Sequence, residues 1–345
     1  MSVRILGIET SCDDTAAAVV DDGGRVLSSV ISSQESFHRK YEGVVPEIAS
    51  RRHTATIIAS VDEALQQAGL TLRDVDGIAV TTGPGLIGSL LIGVETAKAL
   101  AYATGLPLVG VNHLEGHVMA SFVTSPGADE APLGTDAFPL LALIVSGGHT
   151  ELVIVTSWFH YRVLGATRDD AAGETLDKFA KFLGLGYPGG PVIQRIGAQG
   201  DPDYHAFPRV SLGREGYEFS FSGLKTAGIN YVRSISADEL SGHLPDIVAS
   251  FEFAVVRELL SRTSKAVREF RPAAVTIVGG VAANQRLRRG ATAIAETHVH
   301  FPPMRFCTDN AAMIAYAGLM RIARGERTSL DLDASPSVGI EDCSD

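Results

Sequence analysis

The chain has 345 residues, 45% hydrophobic and 20% charged, with a net charge of −11, a composition and length that suggest two ordinary globular domains. The acidic balance excludes indiscriminate nucleic-acid binding, which needs a basic surface, but leaves open a nucleic acid met through a local patch or a partner protein. The first apolar run meets Glu9 after six residues and no run of about 18 apolar residues exists, so neither a secretory leader nor a membrane span is read.

Residues 3–8 form an apolar strand that enters a polar turn, Glu9, Thr10, Ser11, Cys12, Asp13 and Asp14. Runs 15–20 and 25–30 follow, separated by an Asp-Asp-Gly-Gly turn. Residues 34–41 are polar and read as loop, and 44–70 as a long helix with Pro46 in its first turn. Arg51, Arg52 and His53 lie together on that helix, either as a solvated face or as a basic contact. Residues 77–80 enter the turn Gly83-Pro84-Gly85, a mostly apolar helix spans 88–105, and 106–111 is another strand.

Asn112 then caps a helix carrying His113, Glu115 and His117. Histidines four apart project from one helix face, which is a metal-ligand spacing, and is equally met where no metal binds. A zinc-peptidase helix reads H-E-x-x-H. Here the Glu stands two after the first His, about 200° round the helix, so it cannot activate a metal-bound water. Residues 124–138 are rich in Pro, Gly and acid and mark the expected domain boundary.

The second half repeats the first. An apolar run, 140–145, enters Ser146-Gly147-Gly148-His149-Thr150, and runs 151–156 and 161–164 follow. Paired glycines let successive N–H groups face an anion, with Ser and Thr hydroxyls as added donors. Alone, such a turn is an ordinary hairpin signal. Yet 274–278 also enters Gly279-Gly280 and a helix, as 77–80 enters its Gly-rich turn. The matching turns drift apart by roughly 60 residues, which marks a duplicated subdomain with an insertion in the later copy.

Within that insertion 169–184 reads as a helix. Asp177 on it suits a grip on two ribose hydroxyls, or a solvated acidic first turn. A sharp turn at 186–191 leads to a short helix, 199–214 is polar loop, and 241–270 is a long amphipathic helix. Asn284, after the Gly279-Gly280 pair, suits an adenine edge, a ribose or a helix cap. Arg286, Arg288 and Arg289 read as a basic surface run. Residues 298–301 are a short strand, and Asp309 opens the last helix, 311–324, most simply as its N-cap. Cys12, Cys307 and Cys343 are scattered, which gives no disulfide framework and fits a reducing cytosol, so the expected location is cytoplasmic.

Ten stretches, taken together and in order from Ile5 to about Arg324, resemble one family. They are I-E-T-S-C-D-D-T, G-V-V-P-E-I-A-S-R-R-H, G-P-G-L-I-G-S-L, N-H-L-E-G-H, V-S-G-G-H-T, D-D-A-A-G-E-T-L-D-K, G-Y-P-G-G-P, F-S-F-S-G-L-K-T-A, G-G-V-A-A-N and C-T-D-N-A-A-M-I-A. The duplication is similar to that of the actin, sugar-kinase and Hsp70 superfamily. Within it the motifs resemble the universal tRNA threonylcarbamoyladenosine transferases, bacterial type, once described as glycoprotein endopeptidases.

The resemblance implies an α/β fold of two ribonuclease-H-like (actin-like ATPase) domains. Each would be a mixed five-stranded sheet flanked by helices, with a nucleotide cleft between the lobes. The expected bounds are 1–125 for the first lobe, 136–325 for the second with its insertion at about 165–235, and 326–345 for an acidic tail. It implies that His113, His117 and Asp309 bind one divalent metal, Fe2+ or Zn2+, with Mg2+ accompanying a nucleotide. It implies that Ile144, Val145, Ser146, Gly147 and Gly148 contact the substrate and that Asp177, Gly190 and Asn284 hold an adenylate. Gln194 stands where many members carry Asp. Asp13 is the candidate to orient or deprotonate the attacking amine.

The implied reaction moves threonylcarbamoyl from threonylcarbamoyl-AMP to N6 of adenosine 37 in tRNAs reading codons that begin with A. The implied partners are a shorter paralogue and a small ATPase, with no membrane. Arg51, Arg52 and Lys225 are the expected cations toward tRNA. The rival expectations are an ATP-dependent small-molecule kinase and a nucleotide-binding, chaperone-like protein of the same superfamily.

Overall fold

The computed structural model describes residues 2–124, 131–209, 216–294 and 297–343. It divides into two compact units, Met1–Gly134 with Pro302–Asp345, and Thr135–Phe301. The first unit carries β1 (Arg4–Glu9), β2 (Asp14–Asp21), β3 (Val26–Ser33), α1 (Glu35–His38), α2 (Pro46–Gln67), β4 (Gly77–Gly83), α3 (Ile87–Thr104), β5 (Leu108–Asn112) and α4 (His113–Met119). The second carries β6 (Leu140–Val145), β7 (Thr150–Ser157), β8 (His160–Ala166), α5 (Ala172–Phe182), α6 (Gly189–Gly197), α7 (Ser222–Ser234), α8 (Ala237–Phe270), β9 (Ala274–Val278), α9 (Gln285–Ala291) and β10 (His298–His300). The chain then returns to the first unit with α10 (Ala311–Ala323).

The two sheets have one plan. The first runs β3-β2-β1-β4-β5 and the second β8-β7-β6-β9-β10. β1 and β6 each pair antiparallel with the strand that follows and parallel with the strand entering the Gly-rich turn. The duplication read from the sequence is therefore present strand for strand. Helices α5 to α7 stand between β8 and the long α8, in the stretch where the insertion is expected.

Strand alternation explains the layers of the first unit. Leu6, Ile8, Ala17, Val19, Ile78 and Val80 pack with Ile57 and Val61 of α2 and with Val94 and Ala97 of α3. The opposite face receives α10, which packs on β1, β2 and β4. Contact there is so close that a Cβ on Gly7 would stand 2.3 Å from the Ala311 carbonyl oxygen.

This packing corrects the expected domain bounds. Residues 302–325 do not belong to the second lobe, because α10 is apolar on nearly every side and is buried against the first sheet. Nor is 326–345 a separate tail: Thr328 N–H donates to Leu108 O at 2.8 Å and Ser335 N–H to Thr82 O at 2.8 Å. The expected loop at 34–41 is α1 with a following 3-10 turn, ordered by the burial of His38. Parts of the two expected loops, 125–130 and 210–214, lie outside the described residues. The three cysteines are unbridged. No helix among the described residues is long and apolar enough to cross a membrane.

Candidate metal centre and substrate turn

The metal candidates come from local capping chemistry. Asn112 ends β5, and its side chain accepts the Leu114 N–H at 2.8 Å and the Glu115 N–H at 3.3 Å. That starts α4 with His113 at its first position and His117 one turn on, both buried. Asp309 is not the cap of α10. Asn310 is, accepting the Met313 N–H at 3.0 Å, and this leaves the Asp309 carboxylate for the histidines. Asp309 Oδ1 stands 3.5 Å from His113 Nε2 and 3.2 Å from His117 Nε2.

These three residues fit one divalent ion. Their donor atoms lie within 4.8 Å of one another. A tetrahedral ion with bonds of about 2.1 Å needs donors roughly 3.4 Å apart, close to the two separations seen. His117 is fully buried, and its Nε2 faces the Asp309 carboxylate at 3.2 Å, so the lone pair and the carboxylate oxygen converge where a cation would sit. Two imidazoles and a carboxylate are a ligand type used by iron and tolerated by zinc.

Behind the ligands stands a residue not singled out from the sequence. Buried Glu9, at the end of β1, accepts from His113 Nδ1 at 3.0 Å and from Thr81 Oγ1 at 2.6 Å. This fixes the proton on Nδ1 and leaves Nε2 for a metal, the usual carboxylate–histidine arrangement. Burial lowers the His113 pKa, but the Glu9 and Asp309 carboxylates outweigh it and raise it to about 9. A site that holds a proton so firmly favours positive charge. The signal was an acid closing an apolar strand in the same motif as Asp13. Glu115 points elsewhere, its carboxylate held by the Arg321 guanidinium at 2.8 Å, so it cannot serve as a base at the histidines.

Around the first turn burial dominates. It pushes the Asp14 carboxyl up to about 7, helped by the neighbouring Asp13 and Asp309 charges, and raises Asp13 as well. His53 is not part of a solvated face. It is buried, 2.7 Å from Thr15 Oγ1, and its Nε2 donates to Cys12 O at 3.0 Å, so it braces this turn.

In the second unit, Ile144 and Val145 are buried core at the end of β6. Ser146 N–H donates to His149 O at 2.8 Å, and His149 N–H to Ser146 Oγ at 3.1 Å. Thr150 Oγ1 accepts the Ala172 N–H at 2.9 Å. The turn thus uses Ser146 and Thr150 for its own bracing, and the N–H groups of the exposed Gly147 and Gly148 make no hydrogen bond among the described residues. The turn is docked on α5: Gly173 N–H donates to Ser146 O at 3.2 Å, and a Cβ on Gly173 would stand 2.5 Å from that oxygen.

Helix α5 also carries Asp177, whose Oδ1 accepts the Gly189 N–H at 2.7 Å and the Gly190 N–H at 3.1 Å. Because Pro188 brings no side-chain cap, Asp177 caps α6 from outside. Asn284 caps α9, and its Nδ2 donates to the buried Glu252 at 2.6 Å. Gln194, at the position where an Asp was looked for, accepts the Gln285 N–H at 2.7 Å. Asp177 therefore touches Gly190, and Gln194 ties α6 to the residue beside Asn284.

The chain matches the model of the tRNA N6-adenosine threonylcarbamoyltransferase family over residues 25–316. Relatives of that name include one from Anaeromyxobacter dehalogenans (strain 2CP-C), 51% identical over 97% of this chain and 98% of the relative. Another, from Bdellovibrio bacteriovorus, is 46% identical over 99% of each. This chain belongs to that family. The members' fold is shared more widely. HypF of T. kodakarensis superposes with a TM-score of 0.62 at 15% identity, over 96% of this chain and 49% of that one. Component A of the Acidaminococcus fermentans (R)-2-hydroxyglutaryl-CoA dehydratase gives 0.53 at 15% identity, over 93% and 99%.

For a family named after a tRNA, the cations expected from the sequence are poorly available. Arg51 is exposed but paired with Glu47 at 2.8 Å. Arg52 lies over the Phe37 ring at 3.8 Å. Lys225 is bound to Asp170, whose carboxyl it and Lys178 hold down at about 2.

Proposed function

We infer that this chain transfers the threonylcarbamoyl group of threonylcarbamoyl-AMP to N6 of adenosine 37 in tRNAs that read codons beginning with A, and releases AMP. The observation that carries the reading is family membership over nearly the whole chain, with the motif residues folded into one donor set and one substrate turn. The adenine amine is a weak nucleophile because its lone pair is delocalised into the ring. The mixed anhydride answers this: its C–O bond breaks as the C–N bond forms, AMP leaves with the electron pair, and N6 gives up a proton.

His113, His117 and Asp309 would hold the divalent ion, Fe2+ or Zn2+, and when bound it supplies positive charge against an oxygen that becomes more negative in the transition state. The N–H groups of Gly147 and Gly148 donate to phosphate oxygens of the donor. Gly190, Asp177 and Asn284 shape the adenylate side, the last two through the helix starts they cap. Asp13, whose carboxyl is made more basic by burial, is the residue we assign to accept the amine proton. The target base, in an anticodon loop, can be splayed out of its stack. We place the reaction in the cytoplasm, beside a shorter paralogous subunit and a small ATPase.

The test is transfer from synthetic threonylcarbamoyl-AMP to tRNA, read by mass spectrometry of the nucleosides. Modified adenosine and an equal amount of AMP are expected. ADP formed from ATP and a small hydroxylated acceptor, without modified tRNA, would overturn the reading in favour of a kinase.

A further inference from the structure

The second unit carries a groove away from the residues just assigned. It lies along α8 and the start of α9 and encloses about 720 Å³. Phe253, Val256 and Leu260 give it an apolar floor, and Arg257, Arg286 and Arg289 stand in its wall. The stretch from 253 to 294 holds eight Lys and Arg against two Glu, in a chain whose net charge is −11.

The guanidiniums are anchored with donors to spare. Arg257 Nη2 donates to Phe207 O at 3.1 Å, and its Nε and Nη1 make no bond among the described residues. Burial and the Arg209 charge hold its pKa below the usual guanidinium value, against the opposing charge of Glu258. Arg289 uses only Nε among the described residues, on Gln285 O at 3.2 Å. Arg286 Nε binds the buried Glu252 at 2.9 Å, which fixes the fork in place.

We propose that this groove is an RNA-backbone site, in which Arg257, its guanidinium set 5.7 Å over the Phe253 ring, and Arg289 take phosphates of the tRNA substrate. Forked guanidiniums match phosphate oxygens two at a time, and cations lining an apolar, partly aromatic floor are the arrangement that binds unpaired nucleic acid. The groove supplies a local positive surface of the kind an acidic chain needs for a polyanion. It rests on the tRNA reading above.

The experiment measures tRNA affinity of the full-length chain by anisotropy between 50 and 200 mM salt, together with the kinetics of transfer. Arg289→Ala and Arg257→Gln, singly and combined, are compared with wild type. The glutamine keeps an amide donor for the Phe207 and Pro208 carbonyls, and Arg289 is exposed, so the fold is preserved. Each single change is expected to weaken tRNA binding several-fold and to reduce the slope of log affinity against log salt by roughly 0.7–0.9. KM for tRNA rises, while kcat at saturating tRNA and KM for threonylcarbamoyl-AMP stay unchanged. Wild-type salt slopes and KM for tRNA in the double variant would overturn the proposal. So would weaker binding of free AMP or ATP with tRNA binding intact, which would make the groove a mononucleotide site. Failure of the wild-type chain to modify tRNA at all would instead strike the reading on which this one rests.

Discussion

The turn between β1 and β2 and the turn between β6 and β7 hold the same position in two sheets of identical order, and they have become opposites. The first gathers Glu9, Asp13 and Asp14 among buried hydroxyls, and burial there pushes Asp14 up to about 7. The second has no carboxylate, and at its tip two exposed glycines have N–H groups that make no hydrogen bond among the described residues. A concentration of acid suits a cation, and unpaired backbone donors suit an anion. Duplication settled where each turn stands. The residues found there differ in charge: carboxylates in the first turn and none in the second.

The strongest way to break this contrast is to remove the cation side. His117→Ala or Asp309→Ala should abolish bound metal and lower transfer by a factor on the order of 10²–10³. Metal analysis and single-turnover transfer check it, and wild-type values of both would end the assignment. A milder change disturbs the anion side alone. Gly173→Val puts a side chain where even a Cβ meets Ser146 O at 2.5 Å, so the turn must shift. Its kcat/KM for threonylcarbamoyl-AMP should fall about tenfold or more, as overpacking of about 1–3 kcal/mol implies. Metal content should not change, since all three ligands belong to the first unit; a parallel loss of metal would show that the two turns are not separable in this way.

The last effect concerns stability. Asp14 has a folded pKa of about 7 against an ordinary 3.8, so the folded state binds its proton more tightly than the unfolded state. Stability from this group is present at low pH and is lost as pH rises from about 4 to about 7. Asp14→Asn should therefore match wild type near pH 4 and exceed it above pH 7 by at most about 4 kcal/mol. Urea midpoints across that range measure the difference, and a constant offset would contradict the burial of this carboxyl.

Much of the plan was legible because it repeats. A strand, a polar turn and two further strands, found twice, define the topology without any distance information. The spacing of His113 and His117 likewise showed a shared face. What local rules could not supply were choices settled by distant contacts. Asp309 and Asn310 are both good caps, and only the packing of α10 on the first sheet decides that Asn310 takes that task. Residues 302–345 follow the second sheet in sequence yet complete the first unit, because the smooth surface at Gly7 is their partner. The basic run at 286–289 reads as surface, but Arg286 is tied to Glu252, a buried acid within an otherwise ordinary amphipathic helix.

The return of α10 has a consequence for synthesis. The second unit is spelled out entirely between two parts of the first, so the ribosome emits both imidazoles almost two hundred residues before the carboxylate that joins them. A nascent chain stopped between residues 117 and 309 carries both histidines without the Asp309 carboxylate, and its first sheet lacks the helix that covers one face. The His-His-Asp donor set is thereby complete only late in synthesis, and products terminated before residue 309 are born with an open first sheet and without its carboxylate.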